Sequence, residues 1–342
     1  MAVLVPHHAR PFAGRVLLAL TVVFSLLPAG SARGLPAEAY RVDAISYSGA
    51  TSTSVRGVDA AGRVLGYWSY FSQPPPLFVA SEPDDEGYFL WENGVATPFT
   101  IPGLTQIDIH RMNVAGAIWG SSQEGSFVYR DGSLSILQDP AADLTIVQGV
   151  DGSGRAYGIL GNYPPGVDPN GPVVPIEAVS NFVWENASFS ELDLLLEGAT
   201  VHGVRSDGVL WGSNATVSFV QDGMALTILD HPDFDYTGLF MLSAQGEAYG
   251  FGLTATDQSF ASSDFFWDPV DGFQDWSGDQ SLPGTNLRPH AMNEEGVFWG
   301  VGGAANTAWV ATPVPEPSTA LLLGLGLAML GGLKASGARP GS

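Results

Sequence analysis

Between residues 40 and 312 the apolar positions come in short runs with no helical period, and a nine-residue pattern carrying two glycines four apart recurs six times. The copies run from Val58 to Gly66, Met112 to Gly120, Val150 to Gly158, Val204 to Gly212, Leu242 to Gly250 and Met292 to Gly300. Between successive copies lies an aromatic segment that ends on a turn: Phe89 to Gly94 (FLWENG), Phe127 to Gly132 (FVYRDG), Phe182 to Ala187 (FVWENA), Phe219 to Gly223 (FVQDG) and Phe265 to Trp267, with Trp309-Val310 as a shortened sixth. Asn-Gly and Asp-Gly between apolar runs are strong hairpin signals, because both turn residues adopt positive φ. Each unit is therefore two hairpins, or four short strands, here lettered a to d in chain order. The first glycine of each copy turns a into b.

The roughly 280 residues between the two chain ends divide into six units of about 47 residues, the size of a four-stranded propeller blade. The pattern predicts an all-β fold: a six-bladed β-propeller of four-stranded antiparallel blades. The last unit supplies strands near His290, near Trp299 and from Trp309 to Ala311, but no fourth. Tyr40 to Ser46 precedes the first unit without a partner and resembles other fourth strands such as Ala225 to Leu229. That segment is expected to pair with the last unit and close the ring, which removes the open sheet edge. Gly62 to Gly154 and Gly154 to Gly246 are each 92 residues apart, so a blade pair used three times is the larger period.

The two ends follow different rules. A start containing Arg10 and Arg15 precedes a 12-residue apolar run, Val16 to Leu27, and then small residues up to Ala32. This order predicts a secretory signal peptide over residues 1–32, since twelve residues are too few to span a bilayer. Residues 33–312 are then the propeller domain and 313–342 a separate tail. The tail reads Pro315-Glu316-Pro317, an apolar run with a membrane helix expected over 318–333, and then Lys334 and Arg339. It resembles the PEP-CTERM sorting signal of Gram-negative bacteria in those three elements, although its basic residues are separated instead of clustered. The resemblance implies recognition by an exosortase-type membrane protease, transient anchoring in the bacterial inner membrane through the C-terminal helix, and a final place at the cell surface or outside the cell. The repeat also resembles the HAF family of extracellular repeats, most clearly at Tyr88 to Gly94, although the His-Ala pair before Phe is absent from every copy. That resemblance implies a surface role and no catalytic residues.

Charge and composition narrow the partners. The net charge is −22, and between residues 40 and 312 there are 33 Asp or Glu against 8 Arg and no Lys, which excludes nucleic acid as a partner. With no Cys, disulfides, Cys-zinc sites and thiol chemistry are excluded as well. No cofactor is expected, although the acidic clusters Glu82 to Glu86 and Asp230 to Asp235 offer oxygen ligands for Ca²⁺; neither matches an EF-hand or nonapeptide repeat.

Long b–c connections are expected over Tyr70 to Gly87, Gly161 to Ser180 and Gly252 to Ser263, all on one face. They offer Tyr70, Phe71, Glu82, Asp84, Asp85, Glu86, Tyr163 and Asp168 for binding. Six positions before the first glycine of each copy stand Arg56, His110, Gln148, His202, Phe240 and His290. The three His recur in alternate blades near the inner strands, so they are candidates for a tris-His metal site. Strand alternation places them instead on the face that packs between blades. The aromatic row Trp119, Tyr157, Trp211, Tyr249 and Trp299 is expected to be inter-blade core. No hydrolase elbow, zinc-protease helix, phosphate loop or dinucleotide fingerprint occurs. Two functions fit these observations. One is a non-catalytic exported protein that binds extracellular polysaccharide or matrix protein. The alternative is a carbohydrate-active lyase or hydrolase with His110, His202, His290 and Arg56 at the channel mouth.

Overall fold

The computed structural model describes residues 40–72, 83–164, 177–255, 260–276, 290–302 and 307–314, and all regular structure among them is β-strand. A closing strand β1 (Tyr40–Ile45) is followed by blade 1, made of β2 (Ser52–Val58), β3 (Val64–Tyr70), β4 (Asp85–Glu92) and β5 (Val95–Phe99). Blade 2 holds β6 (Asp108–Met112), β7 (Ile118–Ser122), β8 (Gly125–Arg130) and β9 (Ser133–Leu137). Blade 3 holds β10 (Leu144–Val150), β11 (Ala156–Asn162), β12 (Glu177–Glu185) and β13 (Ser188–Glu191). Blade 4 comprises β14 (Thr200–Val204), β15 (Leu210–Ser213), β16 (Ser218–Asp222) and β17 (Ala225–Leu229). Blade 5 comprises β18 (Tyr236–Leu242), β19 (Ala248–Ala255), β20 (Phe260–Asp268) and β21 (Gly272–Trp276). Blade 6 has β22 (Ala291–Met292), β23 (Phe298–Gly302) and β24 (Thr307–Pro313).

Blades 1 to 5 pair their strands consecutively and antiparallel, while the sixth sheet has the order β1-β24-β23-β22. The expected closure is therefore present. Tyr40 lies opposite Pro313, Asp43 opposite Val310, and Ile45 opposite Ala308. Inner strands touch those of the next blade around the ring, and β2 meets β23 and β24 at the seam.

Both glycines of the repeat have a physical reason. The first, at Gly62, Gly116, Gly154, Gly208, Gly246 and Gly296, has φ between +73° and +93°, a left-handed turn conformation that favours a residue without Cβ. The second faces the aromatic residue of strand c in every blade: Gly66 opposite Phe89, Gly120 opposite Phe127, Gly158 opposite Phe182, Gly212 opposite Phe219, Gly250 opposite Phe265 and Gly300 opposite Trp309. A Cβ on Gly66 would lie 2.2 Å from the Phe89 ring, so the ring occupies the volume that the missing side chain leaves. All five Phe are fully buried and Trp309 is 2% exposed. Each contributes about 2–3 kcal/mol by burial. The row Trp119, Tyr157, Trp211, Tyr249 and Trp299 is buried as expected, and Leu65 takes its place in blade 1.

Three residues before the first glycine, a polar side chain closes the same turn in five blades. Asp59, Asn113, Asp151, Ser243 and Asn293 accept the N–H of the residue four further on, and Arg205 is the exception. The links between blades alternate. From blade 1 to 2, 3 to 4 and 5 to 6, a turn N–H of Ala60, Gly152 or Ala244 donates to the carbonyl of Val114, Ser206 or Glu294. From 2 to 3, 4 to 5 and 6 to 1, a side chain makes the link: Asn113 to the Val150 carbonyl, Arg205 to Ser243, and Asn293 to Val58. This alternation gives the 92-residue period its structural form.

Two expectations about connections need correcting. The third long connection shrinks to residues 256–259, because β19 and β20 stay paired out to Ala255 opposite Phe260. Asp85 and Glu86 are not loop residues either. They lie on β4, opposite Tyr70 and Ser69, because pairing with β3 continues to the end of that strand.

Candidate functional site

The a–b and c–d turns occupy one face of the ring, and the b–c connections occupy the other. The three odd-numbered blades clasp the roots of those connections in the same way. The residue before strand a, at Thr51, Asp143 or Asp235, accepts through its side chain the N–H of the residue twenty further on, at Phe71, Tyr163 or Ala255. The distances are 3.0, 3.0 and 2.7 Å. Thr51, Asp143 and Asp235 are themselves 92 residues apart, which is the signal in the sequence that would have found them. Around the first clasp, Tyr70 is 40% exposed and its carbonyl accepts the Asp84 N–H. The hydrogen bond from the Ser72 N–H holds the Asp84 carboxyl below the usual carboxylate range. Tyr163 follows β11. Glu82, Asp168 and the sorting residues Pro315, Glu316, Pro317, Lys334 and Arg339 lie outside the described residues, as do the expected signal peptide and membrane helix.

At the blade 1–2 junction the loop-face rim is a hydrogen-bonded network. The Tyr67 hydroxyl donates to Glu86, and the Tyr88 hydroxyl donates to Asp108 at 3.2 Å while accepting the Ile109 N–H at 2.8 Å. Burial pushes the Tyr88 phenol up to about 12, and it raises Tyr67 too, with Glu86 adding to the effect. His110 Nε2 lies 3.9 Å from Asp108.

The residue six before the first glycine is a β-bulge. The strand a register slips at Arg56, His110, Gln148, His202 and Phe240, while His290 falls just before β22. A bulge interrupts simple face alternation, so the pleat argument that assigned these side chains to the blade interface does not hold through it. The three His have different surroundings. His202 is partly buried, its Nε2 lies 3.3 Å from Ser213 Oγ, and burial lowers its proton affinity. His110 borders Asp108, and His290 is exposed. Among the described residues no three His, Asp or Glu side chains gather as a metal site. Four of the six described acids of the two expected Ca²⁺ clusters accept from the protein's own groups: Asp84 from Ser72, Asp85 from the Glu86 N–H, Glu86 from Tyr67, and Asp235 from Ala255.

One channel residue that pattern reading passed over is Arg111. It stands five before the first glycine, where the other copies have Gly57, Gly149, Gly203, Met241 and Ala291. A single arginine in a column of small or apolar residues was the available signal. Its Nη1 reaches across the ring to the Phe240 carbonyl in blade 5, at 3.4 Å. Toward the turn face the channel is bridged by Glu294, which accepts from the Ser206 N–H at 2.6 Å and from the Ser206 hydroxyl. Burial raises the Glu294 carboxyl, and the Ser206 hydrogen bonds oppose that shift.

The chain ends are also placed. Both Tyr40 and Pro313 lie at the turn-face end of blade 6, and the Pro313 ring is the nearest group to a Cβ built on turn residue Gly296, at 3.8 Å. Residues 313–339 match the PEP-CTERM protein-sorting motif. That motif implies exosortase-dependent export. No curated protein matches the chain. Among solved structures, the extracellular domain of the one component system BT4673 from B. thetaiotaomicron aligns with a TM-score of 0.39 at 13% identity, over 78% of this chain and 39% of that one. The chain thus spans well under half the length of that structure.

Proposed function

We propose that the protein is a non-catalytic binding component of the cell surface or extracellular matrix, which engages extracellular polysaccharide or matrix protein through its loop face. One observation carries this reading: the sorting motif starts where β24 ends, on the turn face. A tail leaving from that face, while held in the inner membrane, turns the clasped connections of blades 1 and 3 away from the lipid. Cleavage near Pro315 leaves every strand of the closed ring intact, since β24 ends at Pro313. The strong negative charge keeps such a ring from adhering to like-charged surfaces, so recognition falls to the loop face with Tyr70, Phe71 and Tyr163.

The test is fractionation of an exosortase-bearing Gram-negative host expressing the full chain, with mass analysis of both protein termini. The expected product lacks residues 1–32 and Lys334 and sits outside the inner membrane, whereas a triple Ala replacement of Pro315, Glu316 and Pro317 leaves it membrane-bound. An exported form that keeps Lys334 would refute the sorting step. Retention of the Tyr70→Ala/Tyr163→Ala variant on host exopolysaccharide as strong as that of the parent would refute the binding face.

A second reading, a polysaccharide lyase or hydrolase, draws on the rim network in which Tyr88, Asp108 and His110 adjoin one another and Arg56 lies over Tyr67. Stoichiometric metal in the purified protein, lost in a triple His→Ala variant of His110, His202 and His290, would favour it.

A further inference from the structure

Arginine pairing in this protein follows a rule with two exceptions. Arg41, Arg63, Arg130, Arg155 and Arg205 each contact an Asp within four residues, at 2.6 to 3.4 Å. Arg56 and Arg111 are the other described arginines, and neither has a carboxylate partner. Both stand on inner strands, one residue apart in the repeat alignment of adjacent blades. Arg56 Nε is buried without a hydrogen-bond partner, and its guanidinium rests over the Tyr67 ring at 5.4 Å. Arg111 uses one N–H on the Phe240 carbonyl at the long distance of 3.4 Å. Burial, and then the nearby charge of Arg56, lower the proton affinity of Arg111. A guanidinium stays protonated regardless, so the pair is two like charges with idle donors inside the ring. Partly burying two such charges side by side is costly unless an anion compensates. Among the described acids, Glu294 lines the cavity beside Arg111, and its carboxylate is held by Ser206 instead.

Beside Arg111 the channel opens into a cavity of about 40 Å³, walled by Trp119, Trp211 and Trp299 with Gln148 to one side and Glu294 at its border. Trp211 Nε1 is buried and has no acceptor. Arg111, which spends one N–H on a long bond, and the orphan Nε1 of Trp211 thus line a single cavity, while the orphan Nε of Arg56 lies one repeat position away in the adjacent blade. The geometry points to a binding site for a small monocarboxylate, held by Arg111 with Arg56 as a second cation behind it and Trp211 Nε1 as a neutral donor. A planar carboxylate matches the guanidinium fork. The indole walls suit a short apolar tail. The Glu294 carboxyl disfavours a second negative group. At roughly 10–15 Å³ per water site, the cavity takes a ligand of about three or four heavy atoms, the size of formate or acetate. This site is independent of the loop-face reading.

The test is a titration of the purified full chain with sodium acetate, against sodium chloride at equal ionic strength, following tryptophan fluorescence and the melting temperature. Acetate is expected to give a saturable fluorescence change and a concentration-dependent rise in Tm that chloride does not give. Arg111→Met should abolish both, and Arg111→Lys should weaken binding about tenfold by losing the fork. Trp211→Phe, which keeps an aromatic wall, should weaken binding several-fold and serves if Arg111→Met does not fold. Equal responses to acetate and chloride overturn the site, as does an unchanged acetate response in Trp211→Phe and Arg111→Lys. A stronger response to phosphate than to acetate overturns the carboxylate assignment.

Discussion

If β1 completes the sixth blade, a side chain on it should matter as much as its counterpart in a blade whose four strands are contiguous. Ile45 is the last residue of β1 and is fully buried against the seam, in the same cluster as Val58, Phe89 and Trp309. Its counterpart is Leu137, the last residue of β9 and equally buried. Replacing Ile45 by Ala removes three carbons at about 0.8 kcal/mol each and leaves a partly relaxed cavity, which together give about 3 kcal/mol. A ring of this size shifts by roughly 2 °C per kcal/mol, so Tm should fall by about 6 °C. Leu137→Ala should cost the same within about 1 kcal/mol, although it acts in blade 2, away from the seam. Urea melts of both variants, followed by tryptophan fluorescence, measure the pair. Should Ile45→Ala cost less than about 1 kcal/mol while Leu137→Ala costs its full amount, β1 is a loose tail and the closure argument fails.

Other expectations follow from individual turns and pairs. Ala187 sits at φ +60° in a hairpin turn where blades 1 and 2 have Gly94 and Gly132. Ala187→Gly should therefore stabilise the chain by about 0.5–1 kcal/mol in a denaturant melt, despite the added freedom of the unfolded chain. Arg41 faces Thr312 across the closing pair and the chain has no native Cys, so Arg41→Cys/Thr312→Cys should oxidise to one intramolecular disulfide, visible as a gel shift reversed by reductant. Burial would raise the Asp151 carboxyl, but donors on Ser153 and Arg155 overcome it and hold it below its ordinary 3.8. Its contribution is therefore present above that value and is lost as pH falls through the folded-state pKa. Asp151→Asn should cost about 1 kcal/mol at pH 7, and the deficit should shrink as pH falls below 3.8; a deficit that does not shrink would contradict the ion-pair account.

Much of the ring was legible because its repeats are local. The Asn93-Gly94 and Asp131-Gly132 turns demand positive φ at both residues, whatever surrounds them. Ring closure was legible for a similar reason, since counting strands left one unit short and Tyr40 to Ile45 over. The bulge at His110 and His202 was not legible. A one-residue slip depends on how strand a meets strand b, and nothing in its own pattern announces it. The length of the β19–β20 hairpin escaped as well, because polar Ser262 and Ser263 read as loop until Leu253 and Gly252 are found pairing with them.

By itself, then, the chain determined the strand count, the turn chemistry, the closing segment and the address at its end, because each depends on backbone preferences or on contiguous residues. Only the tertiary arrangement decided which side chains share the channel. Arg56 and Arg111 are 55 positions apart in sequence and belong to different blades, and the Phe240 carbonyl lies 129 positions from Arg111. Their meeting is set by the curvature that bends six sheets round one axis, and charges brought together by that curvature leave no periodic mark along the chain.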